Sequence, residues 1–127
     1  MSNPRFAAEV RPEGDSVAVD LIGDINAFAS EELGAATDSA LAEKPQRLVL
    51  NFTNTSFINS TGIALIVETL GKSRAARVPV VACGLSDHYR EIFEITRLVD
   101  FMDIAADERA ALSPTTVFKR DGGGDHA

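Results

Sequence analysis

The sequence predicts one α/β domain on an open, mostly parallel sheet of four or five strands, with an antiparallel N-terminal strand and four or five flanking helices. Apolar runs of strand period alternate along the chain with runs of helical spacing. One run, Leu48-Val49-Leu50-Asn51-Phe52, is apolar on nearly every residue, as strands covered on both faces are. The 127 residues, 45% hydrophobic and 24% charged, suit a single self-sufficient core.

Residues 6–10 and 17–22 read as strands flanking the turn residues Pro12-Glu13-Gly14-Asp15. In the second strand Val17, Val19 and Leu21 alternate with Ala18 and Asp20. Ser30-Glu31-Glu32 offers a helix cap followed by acids that suit the positive end, and Leu33, Ala36, Ala40 and Leu41 share one face. Pro45 closes that helix before the central strand 48–52, which we expect to be covered by helices on both faces. Residues 54–62 read as a polar loop leading into a second helix with Ile63, Ile66, Val67 and Leu70 inward. Lys72, Arg74 and Arg77 suit its negative pole, and Pro79 precedes the strand 80–83. Ser86-Asp87 caps a third helix with Tyr89, Ile92, Phe93 and Thr96 on one face. A short strand near 101–105 and a last helical turn near 107–112 follow. The domain is expected over residues 1–114, and the Gly-rich and charged stretch 115–127 as a disordered tail.

Composition excludes several function classes. A net charge of -7 argues against nucleic acid or anionic lipid, which require clustered Lys and Arg. No apolar run approaches a membrane span and no signal sequence opens the chain, so a cytoplasmic protein is expected. The single cysteine, Cys83, lies in an apolar run and reads as a core residue. With His88 and His126 as the only histidines, no metal site is expected, and no cofactor either.

In open α/β sheets, ligands and partners engage loops at the carboxyl ends of strands. Two such loops stand out: Gly23-Asp24-Ile25-Asn26 and Phe57-Ile58-Asn59-Ser60-Thr61-Gly62. A helix N-terminus tolerates an added phosphate, because its N–H groups are unpaired and its pole is positive. Local chemistry therefore leaves two readings of Asn59, Ser60 and Thr61: ordinary caps, or a phosphate acceptor. No Walker-type glycine loop is present and no general base accompanies Ser60 in sequence, which argues against an enzyme. Asp87, His88 and Arg90 point apart on a helix and form no triad.

The run 48–52 followed by Phe57-Ile58-Asn59-Ser60-Thr61-Gly62-Ile63 resembles the signature of STAS domains, the family of bacterial anti-sigma factor antagonists, and Gly23-Asp24-Ile25-Asn26 resembles that family's first loop. The resemblance covers about residues 5–112. It implies a binding module whose unphosphorylated form captures an anti-sigma factor with serine-kinase activity, which then phosphorylates it and is released; a phosphoserine phosphatase resets the cycle. The acceptor position falls on Ser60, with Thr61 second. Asp24, Asn26, Asn59, Ser60, Thr61 and Gly62 would form the partner surface, bordered by the third helix with His88. The protein is expected to be a monomer or weak dimer.

Two residues depart from the family pattern: Asn59 stands where Asp is usual, and Asn26 where the other loop has an acid. Asn keeps capping ability but loses the charge a kinase could read. The departures keep open an alternative role, a scaffold or accessory subunit of a stress-signalling or lipid-transport complex without a phosphate switch.

Overall fold

The strand β2 (Ser16–Ile25) organises the sheet, because its ten residues accommodate three partners. This computed structural model describes residues 5–113. β1 (Ala7–Glu13) runs antiparallel along β2 from Ala7↔Ile22 to Glu13↔Ser16, through a turn at Gly14. Pro12 lies within β1, which is an edge strand where a missing N–H is tolerated. β3 (Arg47–Asn51) pairs parallel with the first half of β2, and β4 (Thr55–Ile58) with its carboxyl end. β5 (Val80–Cys83) and β6 (Asp103–Ile104) continue the sheet in the order β1-β2-β3-β5-β6.

Three helices, α1 (Ser30–Ala42), α2 (Ser60–Ala75) and α3 (Asp87–Ile95), enclose the main core on one face. Leu33, Ala36 and Ala40 of α1 and Leu65, Ile66 and Leu70 of α2 meet Val19, Leu21, Leu48, Leu50 and Val80 there. Phe93 of α3 is fully buried and packs edge-on against Phe52 at 5.7 Å between ring centroids. Burying each such side chain contributes about 1.5–3 kcal/mol.

The other face is different. Among the described residues only the five-residue α4 (Glu108–Leu112) covers it, setting Ala111 over Ala18, Val49, Val81 and Cys83. Small side chains suffice for so thin a layer, and burial pushes the Cys83 thiol up to about 12, so it stays protonated. Arg47 holds the end of α4 by donating from Nη1 to the carbonyls of Ala111 (2.9 Å) and Ser113 (2.7 Å). Arg11 grips Asp20 with two hydrogen bonds of 2.7 and 2.9 Å and reaches Glu108 of α4 at 2.6 Å. Asn51 donates to the same two carboxylates. Strands β1, β2 and β3 are thus tied to α4 by charge where little apolar surface is available.

The expected mixed sheet, element order and helix faces are present, with five local corrections. Helices cover both faces, but one face has only α4. Residues 54–62 are not all loop, since β4 lies within them and brings the sheet, among the described residues, to six strands where four or five are expected. Ser30 is the first residue of α1 and not its cap; Ala29 holds that position with no side-chain bond, because a 3-10 turn at Ala27–Ala29 already leads into the helix. Val67 is 48% exposed, and Leu65 and Thr69 are buried on α2. Thr96 is exposed, and its hydroxyl turns back to the Ile92 carbonyl. The stretch 115–127 lies outside the described residues. Among the described residues, no helix is long and apolar enough to cross a membrane.

The Asp20 carboxyl lies below its usual 3.8, chiefly because Arg11 donates to it and secondarily because Asn51 does. A depressed carboxylate contributes stability that is complete above its unfolded value and lost as pH falls through the folded value. Chemical denaturation from pH 7 downward should therefore show Asp20→Asn less stable than the parent by about 1 kcal/mol at pH 7. The gap should narrow as pH falls through the depressed folded value of the Asp20 carboxyl, where the parent becomes protonated.

Candidate functional site

The two loops singled out in the sequence meet because β4 pairs with the carboxyl end of β2. Gly23 aligns with Thr55, Asp24 with Phe57 and Ile25 with Ile58. A register shift between Gly23 and Asp24 marks where β2 passes from one partner to the next. Gly23 has a φ of 93°, and a Cβ there would lie 2.6 Å from the Arg5 carbonyl oxygen, so the residue must be glycine on both counts. Thr55 anchors β4 by donating its hydroxyl to the Leu21 carbonyl at 2.6 Å.

Beyond Ile25 and Ile58 the two chains diverge into capped turns. Asn26 accepts from the Phe28 amide at 2.9 Å and caps the 3-10 turn Ala27–Ala29. Asn59, extended at φ -94° and ψ -175°, accepts from the Gly62 amide at 2.8 Å and caps α2. Its own amide donates to the Ile25 carbonyl at 3.3 Å, joining the two turns. Asn and Asp are equivalent caps, so Asn at residues 26 and 59 holds the geometry an acid would hold while carrying no charge.

Since Asn59 provides the cap, the hydroxyl of Ser60 is not needed for one. Ser60 and Thr61 are exposed on the first turn of α2. Their amides are the first two of the helix, which have no intrahelical acceptor, and the positive pole of α2 lies behind them. Gly62 is the opposite: it is buried, and a Cβ there would collide with the Ile25 carbonyl oxygen and crowd Ile58. Asp24 is half-buried on β2, opposite Phe57.

His88 is exposed on α3 and does not join this cluster directly. Its ring stands edge-on to Tyr89 at 4.9 Å, and the Tyr89 hydroxyl accepts from the Ile58 amide at 2.9 Å. That bond satisfies the outer edge of β4 one residue before Asn59. Tyr89 is thus a structural link between α3 and the turn that presents Ser60, and Ser86 fixes the start of α3 by capping the Tyr89 amide. A cavity of about 200 Å³ lies beside the link, lined by Thr55, Ser56, Gly84 and Ser86 among others. Among the described residues, no three His, Cys, Asp or Glu side chains converge as a metal site would require.

Sequence reasoning missed the aromatic rim. Phe28 is 93% exposed beside the Asn26 turn and Phe57 is 54% exposed beside Asp24. The signal for Phe57 was erased with the alternation of β4, where Ser56 and Phe57 are both exposed. None was present for Phe28, whose outward aim depends on the 3-10 turn. Exposed aromatics beside capped, rigid backbone have the composition of an interface centre.

Comparison with known proteins places this geometry in context. Residues 7–111 match the model of the STAS domain family. The anti-sigma-B factor antagonist of Listeria monocytogenes is 28% identical over 90 residues, covering 71% of this chain and 79% of that protein. The crystal structure of an anti-sigma factor antagonist from Mycobacterium paratuberculosis superposes with a TM-score of 0.71 at 23% identity, covering 88% of this chain and 96% of that one. SpoIIAA, a Bacillus cell fate determinant solved in its phosphorylated form, gives 0.62 at 23% identity, covering 84% and 96%.

Gly62→Ala should lower stability by about 1–3 kcal/mol in urea denaturation, since the added methyl must push β2 and α2 apart. An unchanged midpoint would contradict the close approach of Gly62 to Ile25.

Proposed function

The chain belongs to the STAS domain family, and on that premise we propose that it is an anti-sigma factor antagonist, a cytoplasmic binding module and not an enzyme, switched by phosphate on Ser60. Its partner is an anti-sigma factor with serine-kinase activity; capture of that factor releases a sigma factor for transcription. Phosphorylation of Ser60, or secondarily Thr61, releases the kinase, and a phosphoserine phosphatase restores the binding form. Asp24, Asn26, Asn59, Ser60 and Thr61 form the contact surface, flanked by His88, with Phe28 and Phe57 supplying apolar area; Gly62, expected among the contacts, is buried and supports the turn from beneath.

One observation carries the reading: an exposed hydroxyl on the first turn of a helix that another residue already caps. Such a hydroxyl is accessible to a kinase, and modifying it removes no bond the fold needs. The added charge of about -1.5 to -2 is accommodated by the helix pole when exposed. Under a docked partner that charge must be desolvated or face repulsion, so binding is lost. Asn59 and Asn26 fit the same scheme, because two fewer acids lie near the incoming phosphate.

Incubation with the cognate kinase and ATP, followed by peptide mass spectrometry, tests the acceptor; phosphate located elsewhere would refute the assignment. In a pull-down with that kinase, Ser60→Asp should bind at least tenfold more weakly than the parent while keeping its circular dichroism spectrum. Ser60→Ala should bind normally and resist release by ATP. Equal binding by all three proteins would overturn the switch.

A further inference from the structure

At the end of α2 away from Ser60, a groove of about 470 Å³ opens between the helix and the 3-10 turn Leu98–Asp100. Leu70, Val78 and Val80 form its apolar floor. Arg74 and Arg77 stand on one rim and Phe101, half-exposed, on the other. The Arg74 guanidinium lies 5.8 Å from the Phe101 ring centroid, close enough to steady the ring. Asp100, the acid at this rim, is paired with Arg97 at 2.9 Å. Neither Arg74 nor Arg77 has a carboxylate partner among the described residues, in a chain with 19 acids against 12 lysines and arginines.

Arg77 is also held at a φ of 63°, the left-handed position after a helix that glycine occupies at least cost. Its amide donates to the Arg74 carbonyl, and the Val78 amide to the Ser73 carbonyl. A glycine would close the helix at least as well, so Arg77→Gly removes the guanidinium without losing the turn.

We propose that this groove docks an acidic segment of a partner protein, which inserts an apolar side chain over Leu70 and Val78 and sets flanking carboxylates on Arg74 and Arg77. Charge complementarity selects the occupant: an apolar floor beside two arginines that lack a carboxylate partner among the described residues fits a peptide that carries both kinds of group. A compact polyphosphate fits poorly, because the groove lies at the carboxyl pole of α2, where carbonyls and not amides face outward. Fourteen residues of helix separate Ser60 from Arg74, about 21 Å at 1.5 Å per residue. That exceeds the roughly 8 Å over which a charge is felt in physiological salt, so this surface works independently of the state of Ser60. One domain can then hold two partners at once, and the inference stands whether or not Ser60 is the switch.

The test is an amide NMR titration of the full chain with a blocked hexapeptide, Asp-Glu-Leu-Phe-Asp-Glu, and with a control whose acids are lysines. The acidic peptide should perturb the amides of Leu70, Val78 and Phe101, with binding that weakens as salt rises; the lysine control should not. Arg77→Gly should reduce affinity roughly five- to tenfold while its thermal midpoint stays the same or rises, a combination no purely structural role produces. Arg74→Gln should weaken binding similarly, and Ser60→Asp should leave it unchanged. Absence of groove perturbation at millimolar peptide, an equal response to the lysine control, parent-like binding by Arg77→Gly, or displacement of the peptide by ATP would each overturn the proposal.

Discussion

The carbonyl oxygen of Ile25 leaves no room for a side chain at residue 62, and the arrangement of the sheet's carboxyl end follows from that contact. Because Gly62 can close onto β2, the first turn of α2 lies directly against the strand's last residue. Asn59 then reaches the Ile25 carbonyl with its amide and caps the helix with its side chain. The pairing of β4 with β2 supplies the approach, and the Tyr89 hydroxyl secures the outer edge. Ser60 stands at the point these bonds define, exposed while its neighbours are committed. Rigidity of the turn and freedom of the hydroxyl have the same origin.

Charge is distributed to match. Toward the amino poles of the helices, Asn59 and Asn26 cap without adding negative charge. Toward the carboxyl poles, Lys44, Arg77 and Arg97 each follow a helix in the left-handed conformation, where glycine is usual. Cations at those positions complement the negative poles, and the resulting gain offsets part of the backbone cost. On the second face of the sheet, a charged network around Arg11 and Asp20 does what apolar packing does on the first. That network and the Ser60 turn lie at separate places on β2, so titration of Asp20 need not disturb the turn.

Much of this was legible in the sequence, for identifiable reasons. The run from Leu48 to Leu50 is apolar throughout because both faces of β3 are covered, and Leu33, Ala36 and Ala40 share a helical face because they meet the core. β4 was hidden, since Thr55, Ser56 and Phe57 are partly or fully exposed and only Ile58 is buried, which erases the alternating pattern. Val67 misled because an apolar residue on a helix need not be inward, whereas the buried Thr69 sits within reach of Thr37 across the α1 and α2 contact. At the site, the local pattern located the turn but could not distribute its tasks. That Asn59 and not Ser60 caps α2, and that Tyr89 reaches Ile58 across thirty-one residues, depend on tertiary placement.

The account turns on whether a phosphate at Ser60 changes what the surface can bind without changing the fold beneath it. Amide NMR spectra of the chain carrying phosphoserine at residue 60 test this directly. The account predicts shifts confined to residues 24–28 and 57–63, with the amides of Leu21, Leu48, Leu50, Val81 and Phe93 unmoved. Widespread shifts through those core strands and α3, or loss of the Gly62 amide's protection, would contradict it.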